Sequence, residues 1–186
     1  MRVDPILVTG ATGRTGRRVA RLLGNAGVPV RLAARSGPVR FDWWDQDTWD
    51  PALTGAAAVY LVPLDGAALT RAFVERAAAL GVRRVVLLSG RGVDVPGYLG
   101  DGNGGGDTHI HGERAVRDSG LEWTILRPGW FAQDFSEGFF REAVLAGEMR
   151  LPTGDGSATF VDAEDIAAVA VAALTEDGHV GETYEL

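Results

Sequence analysis

Between residues 8 and 16 the chain reads Val-Thr-Gly-Ala-Thr-Gly-Arg-Thr-Gly, which places Gly10, Gly13 and Gly16 at G-x-x-G-x-x-G spacing. The apolar run Ile6-Leu7-Val8 precedes the loop, and Val19, Leu22, Leu23 and Ala26 follow it at helical spacing. A strand, a glycine turn and a helix in that order make a cradle for phosphate. Gly10 permits the tight turn, Gly13 lets the backbone approach a pyrophosphate, and Gly16 lets the helix pack closely on the strand. The helix start, carrying Thr12, Arg14 and Thr15, offers free N–H groups and a positive dipole end to negative charge. The next strand closes on Ala33-Ala34-Arg35-Ser36. An acidic residue there would hold the ribose 2′-hydroxyl of NAD. Arg35 instead offers a forked guanidinium to a 2′-phosphate, with Arg14 as a second candidate. The loop therefore predicts a dinucleotide site, and Arg35 predicts NADP(H) over NAD(H).

Proton chemistry has few carriers. The chain contains no Cys and no Lys, so all 18 basic residues are Arg. Thiolate nucleophiles, disulfides and Schiff-base chemistry are excluded. Hydride transfer to a carbonyl requires a donor for the developing alkoxide. Ser89, His109, His111 and Arg91 are the candidates, and His109 is preferred because an imidazole titrates near neutrality. A solvated histidine at a helix start is the alternative for His109. His109-x-His111 with Asp107 does not predict a metal site, because residues two apart do not share a helix face.

Aromatic residues fall in two groups. Trp43, Trp44 and Trp49 read as packing anchors for an irregular segment, with Trp43 or Trp44 near an adenine as a lesser reading. Trp130, Phe131 and Phe135 follow a strand end, where an aromatic wall suits a flat or cationic substrate. Gln133-Asp134 either orients a substrate nitrogen or caps a helical segment over Phe135 to Ala146. The Arg83-Arg84 pair reads as a solvated strand entry.

These residues need a scaffold. Strand-like runs occur at Ile6–Val8, Val28–Ala34, Val39–Phe41, Val59–Val62, Val85–Leu88, Trp123–Leu126 and Thr183–Glu185. Helical patterns lie between them: Arg14 to Asn25, Ala67 to Leu80, Thr108 to Arg117, Glu137 to Ala146, and an Ala/Val-rich stretch from an Asp162 cap to Leu174. Alternating strands and helices predict an α/β fold with a mainly parallel sheet covered on both faces. Strands such as Val85-Val86-Leu87-Leu88 lack polar alternation, as double coverage requires. The glycine-rich stretch 96–107 reads as a mobile loop that can lie over a ligand.

Three longer stretches carry a family resemblance. VTGATGRTGRRVA, LSG at Leu88-Ser89-Gly90, and SGLEWTILRPGWF from Ser119 to Phe131 resemble the NmrA-like atypical short-chain dehydrogenases/reductases. RFDWWDQDTW, LLSGRG and WFAQDFSEGF narrow the likeness to the subgroup of ergot-alkaloid festuclavine and agroclavine dehydrogenases, which reduce an iminium with NADPH. The resemblance covers nearly the whole chain. It implies a doubly wound, Rossmann-like sheet of order 3-2-1-4-5-6. It places the Gly10 to Gly16 loop on the pyrophosphate, Arg35 and Ser36 on the adenosine phosphate, and Asp42 by the adenine. Val62, Pro63, Ser89 and Gly90 fall beside the ribose and nicotinamide. Pro128, Gly129, Trp130 and Phe131 fall over the nicotinamide and substrate, with Phe135 and Arg91 on the substrate side. The usual Tyr-x-x-x-Lys pair is absent: Tyr98 is followed at that spacing by Gly102, and Tyr60 by Leu64. His109, followed by Glu113, occupies the position where relatives often keep a Lys or His. Relatives normally continue beyond Tyr184-Glu185-Leu186, so a small, incomplete substrate-side portion is expected.

The expectation is a dinucleotide-binding core over residues 1–130, with a substrate-side segment and a final helix and strand over 131–186. The function expected is hydride transfer from NADPH to an imine, iminium or conjugated carbonyl, aromatic or cyclic in shape. An NADP(H)-sensing regulator without turnover, and an NADP-binding isomerase or cyclase, are the alternatives. A net charge of −7 speaks against nucleic acid as partner. No apolar run reaches the length of a membrane span. A cytoplasmic protein is expected, and a homodimer is left open. If the glycine loop holds a pyrophosphate, Gly13→Val obstructs it, and dinucleotide binding by calorimetry falls below detection. Binding equal to that of the unaltered chain removes the loop from the site.

Overall fold

The structure, a computed structural model, describes residues 4–95, 105–151 and 154–186. Short, wholly apolar runs form its centre because such runs can be covered on both sides. In chain order the elements are β1 (Ile6–Val8), α1 (Arg14–Asn25), β2 (Val30–Ala34), β3 (Val39–Arg40), α2 (Trp49–Leu53), β4 (Ala58–Leu61), α3 (Thr70–Ala79) and β5 (Arg84–Leu88). There follow α4 (Gly105–Arg117), β6 (Glu122–Arg127), β7 (Trp130–Phe131), α5 (Arg141–Leu145), β8 (Phe160–Val161), α6 (Ala163–Thr175) and β9 (Glu182–Glu185). Seven strands form one parallel sheet in the order β3-β2-β1-β4-β5-β6-β9. The expected order 3-2-1-4-5-6 is found, and the last strand adds beside β6.

Successive strand residues point to opposite faces, and two cores result. Leu7, Val59, Leu61, Val85, Leu87 and Ile125 pack under α2, α3 and α4 with Phe73 and Val116. Ile6, Val8, Tyr60, Val86, Leu88 and Leu126 pack under α1 and α6 with Val19, Leu23 and Ile166. Small residues on α6, Ala167 and Ala170, are fully buried on this second face. Asp162 caps α6 as its position predicts: its Oδ1 accepts the Glu164 N–H at 2.7 Å.

Local differences from the sequence reading have tertiary causes. The short helix α2 was not expected. It forms because Trp49, 2% exposed, meets Trp43 and Phe73 in edge-to-face contacts, with Phe41 packed on Trp43, a gain that five residues of local propensity do not supply. Trp44 stays outside this cluster, 74% exposed. Helix α4 begins at Gly105, three residues before the expected Thr108, so 105–107 belong to a helix rather than a loop. The rest of the expected loop, 96–104, lies outside the described residues. The helix expected over Glu137 to Ala146 shrinks to Arg141–Leu145. Before it the chain makes a 3₁₀ turn, Ala132–Phe135, and folds back on that turn through Phe140 N–H to Asp134 O at 3.0 Å. The parallel pair β7 and β8 joins residues thirty apart, which local periodicity does not register.

Arg84 corrects another expectation. Its side chain is 11% exposed, and its Nε donates to Glu122 Oε2 at 2.9 Å. Its Nη1 donates to the carbonyl of Glu176 at 2.8 Å, with Ala173 O and Leu174 O both at 3.4 Å. A buried cation here satisfies the orphan carbonyls at the end of α6 and complements the negative end of its dipole. Arg84→Met keeps the apolar stem but removes those charged hydrogen bonds. It is expected to destabilise the fold by about 2–3 kcal/mol and to lower Tm by roughly 5–10 °C. An unchanged Tm contradicts the capping role.

Candidate functional site

The glycine loop leaves β1 at the carboxyl edge of the sheet. Gly10 has φ +58°, a left-handed conformation that glycine adopts without strain. Its carbonyl accepts the Gly13 N–H at 2.8 Å, closing the turn. A Cβ on Gly16 would lie 2.2 Å from Gly10 O, so only glycine lets α1 start this close to the strand. Thr9 fastens the loop to the neighbouring strand. Its Oγ1 donates to Tyr60 O at 3.1 Å and accepts the Val62 N–H at 2.8 Å. Helix α1 has Gly13 as its cap residue, with no side-chain cap and no acidic residue in its first turn. Its first N–H groups are thus left for an anion, and the residues present fit a pyrophosphate.

Two cavities flank this loop. One, of about 310 Å³, is lined by Gly10, Thr12, Gly13, Ala34, Arg35, Asp42, Trp43, Trp44, Val62, Pro63 and Leu64 among others. Arg35 is exposed and makes no ion pair or hydrogen bond among the described residues, so its guanidinium is available. Ser36 is exposed in the turn beyond it. Asp42 holds the floor of the cleft: its Oδ1 accepts the Trp44 N–H at 3.0 Å and its carbonyl accepts Trp49 Nε1–H at 3.0 Å. Thr15 is buried, so it supports the loop instead of lining the cleft.

The second cavity, of about 280 Å³, is lined by Arg14, Arg91, Pro128, Gly129, Trp130, Phe131 and Asp134. Arg14 therefore lines this cavity, away from the one that Arg35 lines. Its guanidinium donates to Asp134 Oδ1 and lies 5.1 Å from the centre of the Phe131 ring. Arg91 donates to Thr159 Oγ1 at 3.1 Å, and its N–H donates to Pro128 O at 2.9 Å. Phe135 stands behind the cavity, with ring centres 5.3 Å from Phe140 and 4.9 Å from Phe160. Trp130 joins the same ring cluster through Phe139 and Phe140. Gln133 faces elsewhere. Its amide donates to Asp162 Oδ1 and accepts the Ala163 N–H, both at 2.8 Å, so it secures the start of α6.

Ser89 is 4% exposed, and its hydroxyl donates to Glu113 Oε1 at 2.7 Å, which occupies its one proton. Gly90 follows at the strand end, where a Cβ would meet Val93 Cγ1 at 3.3 Å. Glu113, 2% exposed, receives a fork from Arg127, Nε at 2.8 Å and Nη2 at 2.7 Å, and a contact from Arg117 at 3.1 Å. Burial alone would push its carboxyl up. The hydrogen bonds from Arg127 and Ser89 and the charges of Arg127 and Arg117 outweigh burial and hold it below the usual carboxylate range. Arg127 also reaches Asp94 at 2.8 Å and Glu185 at 3.1 Å. The sequence reading did not find this network. The one signal was a charged residue, Arg127, closing an otherwise apolar strand run.

His109 lies on α4 with Nε2 3.6 Å from Asp65 Oδ1, and its Nδ1 is buried without a partner among the described residues. Burial pulls its pKa below the ordinary imidazole value, against the opposing charges of Asp65 and Glu113. It is therefore neutral at pH near 7. His111, two residues on, lines a different cleft with Thr70 and Arg71. No group of three His, Asp or Glu side chains able to hold a metal occurs among the described residues. Tyr60 is fully buried under α1 and α6, and burial pushes its phenol far above the usual value.

Comparison with known proteins places this geometry. A family model described as NAD(P)H-binding matches residues 10–177, from the glycine loop to the turn after α6. The chain belongs to that NAD(P)H-binding family. It is 40% identical over 199 residues to the (4-alkanoyl-5-oxo-2,5-dihydrofuran-3-yl)methyl phosphate reductase of Streptomyces griseus, covering 96% of this chain and 66% of that protein. It is 34% identical over 194 residues to festuclavine dehydrogenase of Aspergillus fumigatus, covering 92% and 63%. The resemblance to festuclavine and agroclavine dehydrogenases is thereby borne out. Among solved structures, the NADPH-dependent quinone oxidoreductase of Escherichia coli complexed with NADPH superposes with a TM-score of 0.81 at 27% identity, covering 97% of this chain and 68% of that one. The chain spans 63–66% of the length of these two curated relatives.

The Glu113 carboxylate links stability to pH. A carboxyl whose folded pKa lies below its unfolded value, near 4.5, contributes stability above that value and loses it as pH falls through the folded pKa. Glu113→Gln is expected to cost about 1–3 kcal/mol near pH 7, because it removes the buried partner of the Arg127 fork and leaves that cation with Asp94 and Glu185. The penalty should shrink as pH falls below about 4.5. Tm measured against pH for both proteins tests this, and parallel curves down to low pH contradict it.

Proposed function

We propose that the chain binds NADPH and transfers hydride from it to an imine, iminium or conjugated carbonyl, without a Tyr/Lys pair. The observation that carries this reading is the cavity beside the glycine loop, where the aromatic faces of Trp130 and Phe131 meet the buried carboxylate of Asp134. Asp134 is paired with Arg14, and Arg91 also lines the cavity, so the aromatic wall suits a flat, electron-poor acceptor. The Gly10 to Gly16 loop, Arg35, Ser36 and Asp42 hold the pyrophosphate and adenosine side. Val62, Pro63, Ser89, Gly90 and Pro128 position the nicotinamide side. Bound there, the reduced cofactor supplies the hydride.

The acid chemistry points the same way. Ser89 has committed its proton to Glu113, and His109 is neutral, with Asp65 beyond hydrogen-bond distance. An acceptor that is already electrophilic needs no strong acid, so proximity and orientation supply most of the acceleration. Where a carbonyl is reduced, His109 is the proton carrier within reach of the loop after β4. The relatives named as reductases and dehydrogenases support the class of reaction.

Parallel calorimetric titrations with NADPH and NADH test the cofactor, and NADPH consumption with a cyclic iminium and a quinone tests the reaction. NADPH is expected to bind about 10- to 100-fold more tightly than NADH, the worth of one charged fork, and Arg35→Asp should remove that preference. Unchanged discrimination in Arg35→Asp takes Arg35 out of the site. Tight NADPH binding without consumption replaces the reductase by a dinucleotide sensor.

A further inference from the structure

Two neighbouring tryptophans line the cavity that Arg35 shares with the glycine loop, and the structure gives them different roles. Trp43 is committed to packing. Its ring centre lies 5.3 Å from Phe41, 5.2 Å from Phe73 and 6.0 Å from Trp49. Trp44 turns out of that cluster. At 74% it is the most exposed large apolar side chain among the described residues, and its ring meets no other ring or guanidinium there.

The backbone that carries Trp44 is braced. Asp42 Oδ1 accepts the Trp44 N–H at 3.0 Å, and Asp42 O accepts the Asp45 N–H at 3.2 Å, which closes a tight turn over 42–45. Thr48 Oγ1 accepts the Asp42 N–H at 3.0 Å and donates to Asp45 O at 2.6 Å. Arg40, at the end of β3, donates to Asp45 Oδ2 at 3.1 Å. A lone exposed apolar side chain on a surface carries little meaning. This one stands on a fixed turn at a cavity wall. Beside it, Asp42 Oδ2 has no hydrogen-bond partner among the described residues.

An unengaged indole face and an open carboxylate oxygen on one turn match a flat base that stacks by its face and donates from its edge. We propose that Trp44 is the stacking platform for the adenine of the cofactor, and so sets the affinity and position of its adenosine half. The proposal rests on the dinucleotide reading of the glycine loop. The indole covers one face of the base, Asp42 Oδ2 accepts its exocyclic N–H, and Arg35 meets the 2′-phosphate from the wall beyond β2. Because the turn over 42–45 is already ordered, little ordering of the backbone is left to oppose binding. The two tryptophans divide the work: Trp43 anchors the segment in the core, and Trp44 faces the ligand.

NADPH and adenosine 2′,5′-bisphosphate, which lacks the nicotinamide, are titrated by calorimetry into the unaltered chain, Trp44→Ala and Trp44→Phe. Trp44→Ala should weaken both ligands by one common factor, about tenfold, the worth of one base–aromatic stack. Trp44→Phe keeps a ring and should restore most of that loss. Tm should stay unchanged in both variants, because the indole is largely solvated. Indole fluorescence supplies a readout that a merely structural residue would not move. The bisphosphate should quench it in the unaltered chain, and the quench should vanish in Trp44→Phe while binding persists. NADPH bound equally by the unaltered chain and Trp44→Ala overturns the proposal and leaves the cofactor reading standing, as does a quench that survives in Trp44→Phe. A changed oligomeric state in Trp44→Ala with unchanged NADPH affinity assigns the indole to a contact between copies and also overturns it. If the unaltered chain binds neither ligand, the cofactor reading fails and the proposal falls with it.

Discussion

The carboxylate of Glu113 is the point on which the carboxyl edge of the sheet depends. It joins α4 to Ser89 at the end of β5 and to Arg127 at the end of β6, and Arg127 carries the connection on to Asp94 and Glu185 in β9. A buried ion pair of this kind contributes little net stability against an apolar replacement, but losing one partner is severe. Its consequence is geometric. The strand ends that face the two cavities are held at fixed distances from one another by hydrogen bonds that accept only one arrangement. It also takes the one proton of the Ser89 hydroxyl.

The irregular segment after β7 is held by another set of charges. Arginines on α1 reach forward to the irregular segment and to α6: Arg14 to Asp134, Arg17 and Arg18 to Glu137, Arg18 and Arg21 to Glu164. The outer pairs are solvated and individually weak. Arg14 and Asp134 differ, because Asp134 is buried and both residues line the cavity with Trp130 and Phe131. The helix that begins at the phosphate loop is therefore also the support of the aromatic wall. Gly138 makes room for this: a Cβ there would lie 2.5 Å from Asp134 Oδ1 and 3.2 Å from Arg14 Nη1.

Much of the scaffold was legible before any coordinates. The glycine spacing between a strand and a helix, the apolar runs of β4 and β5, and the Asp162 cap are local patterns with local causes, and each appears where it was expected. The place of Arg35 just beyond β2, lining the cavity beside the glycine loop, was legible for the same reason, because it follows from strand length. Arg14 was not. Its position on the loop was clear, but the direction of a long side chain is set by Asp134, 120 residues away. Arg84 failed likewise: a cation at a strand start looks solvated until the end of α6 arrives over it.

The sequence by itself determined the order of elements, the double coverage of the sheet and the glycine turn between β1 and α1, because backbone propensity and hydrophobic period act over a few residues. Only the tertiary structure decided which polar side chains are available. Ser89, Glu113, Arg127 and Asp134 are engaged by partners distant in sequence, His109 is turned toward Asp65, and Thr70 Oγ1 is buried with no hydrogen-bond partner among the described residues. Hydrogen bonding and desolvation depend on neighbours in space, and the chain's linear order does not encode them within any short window.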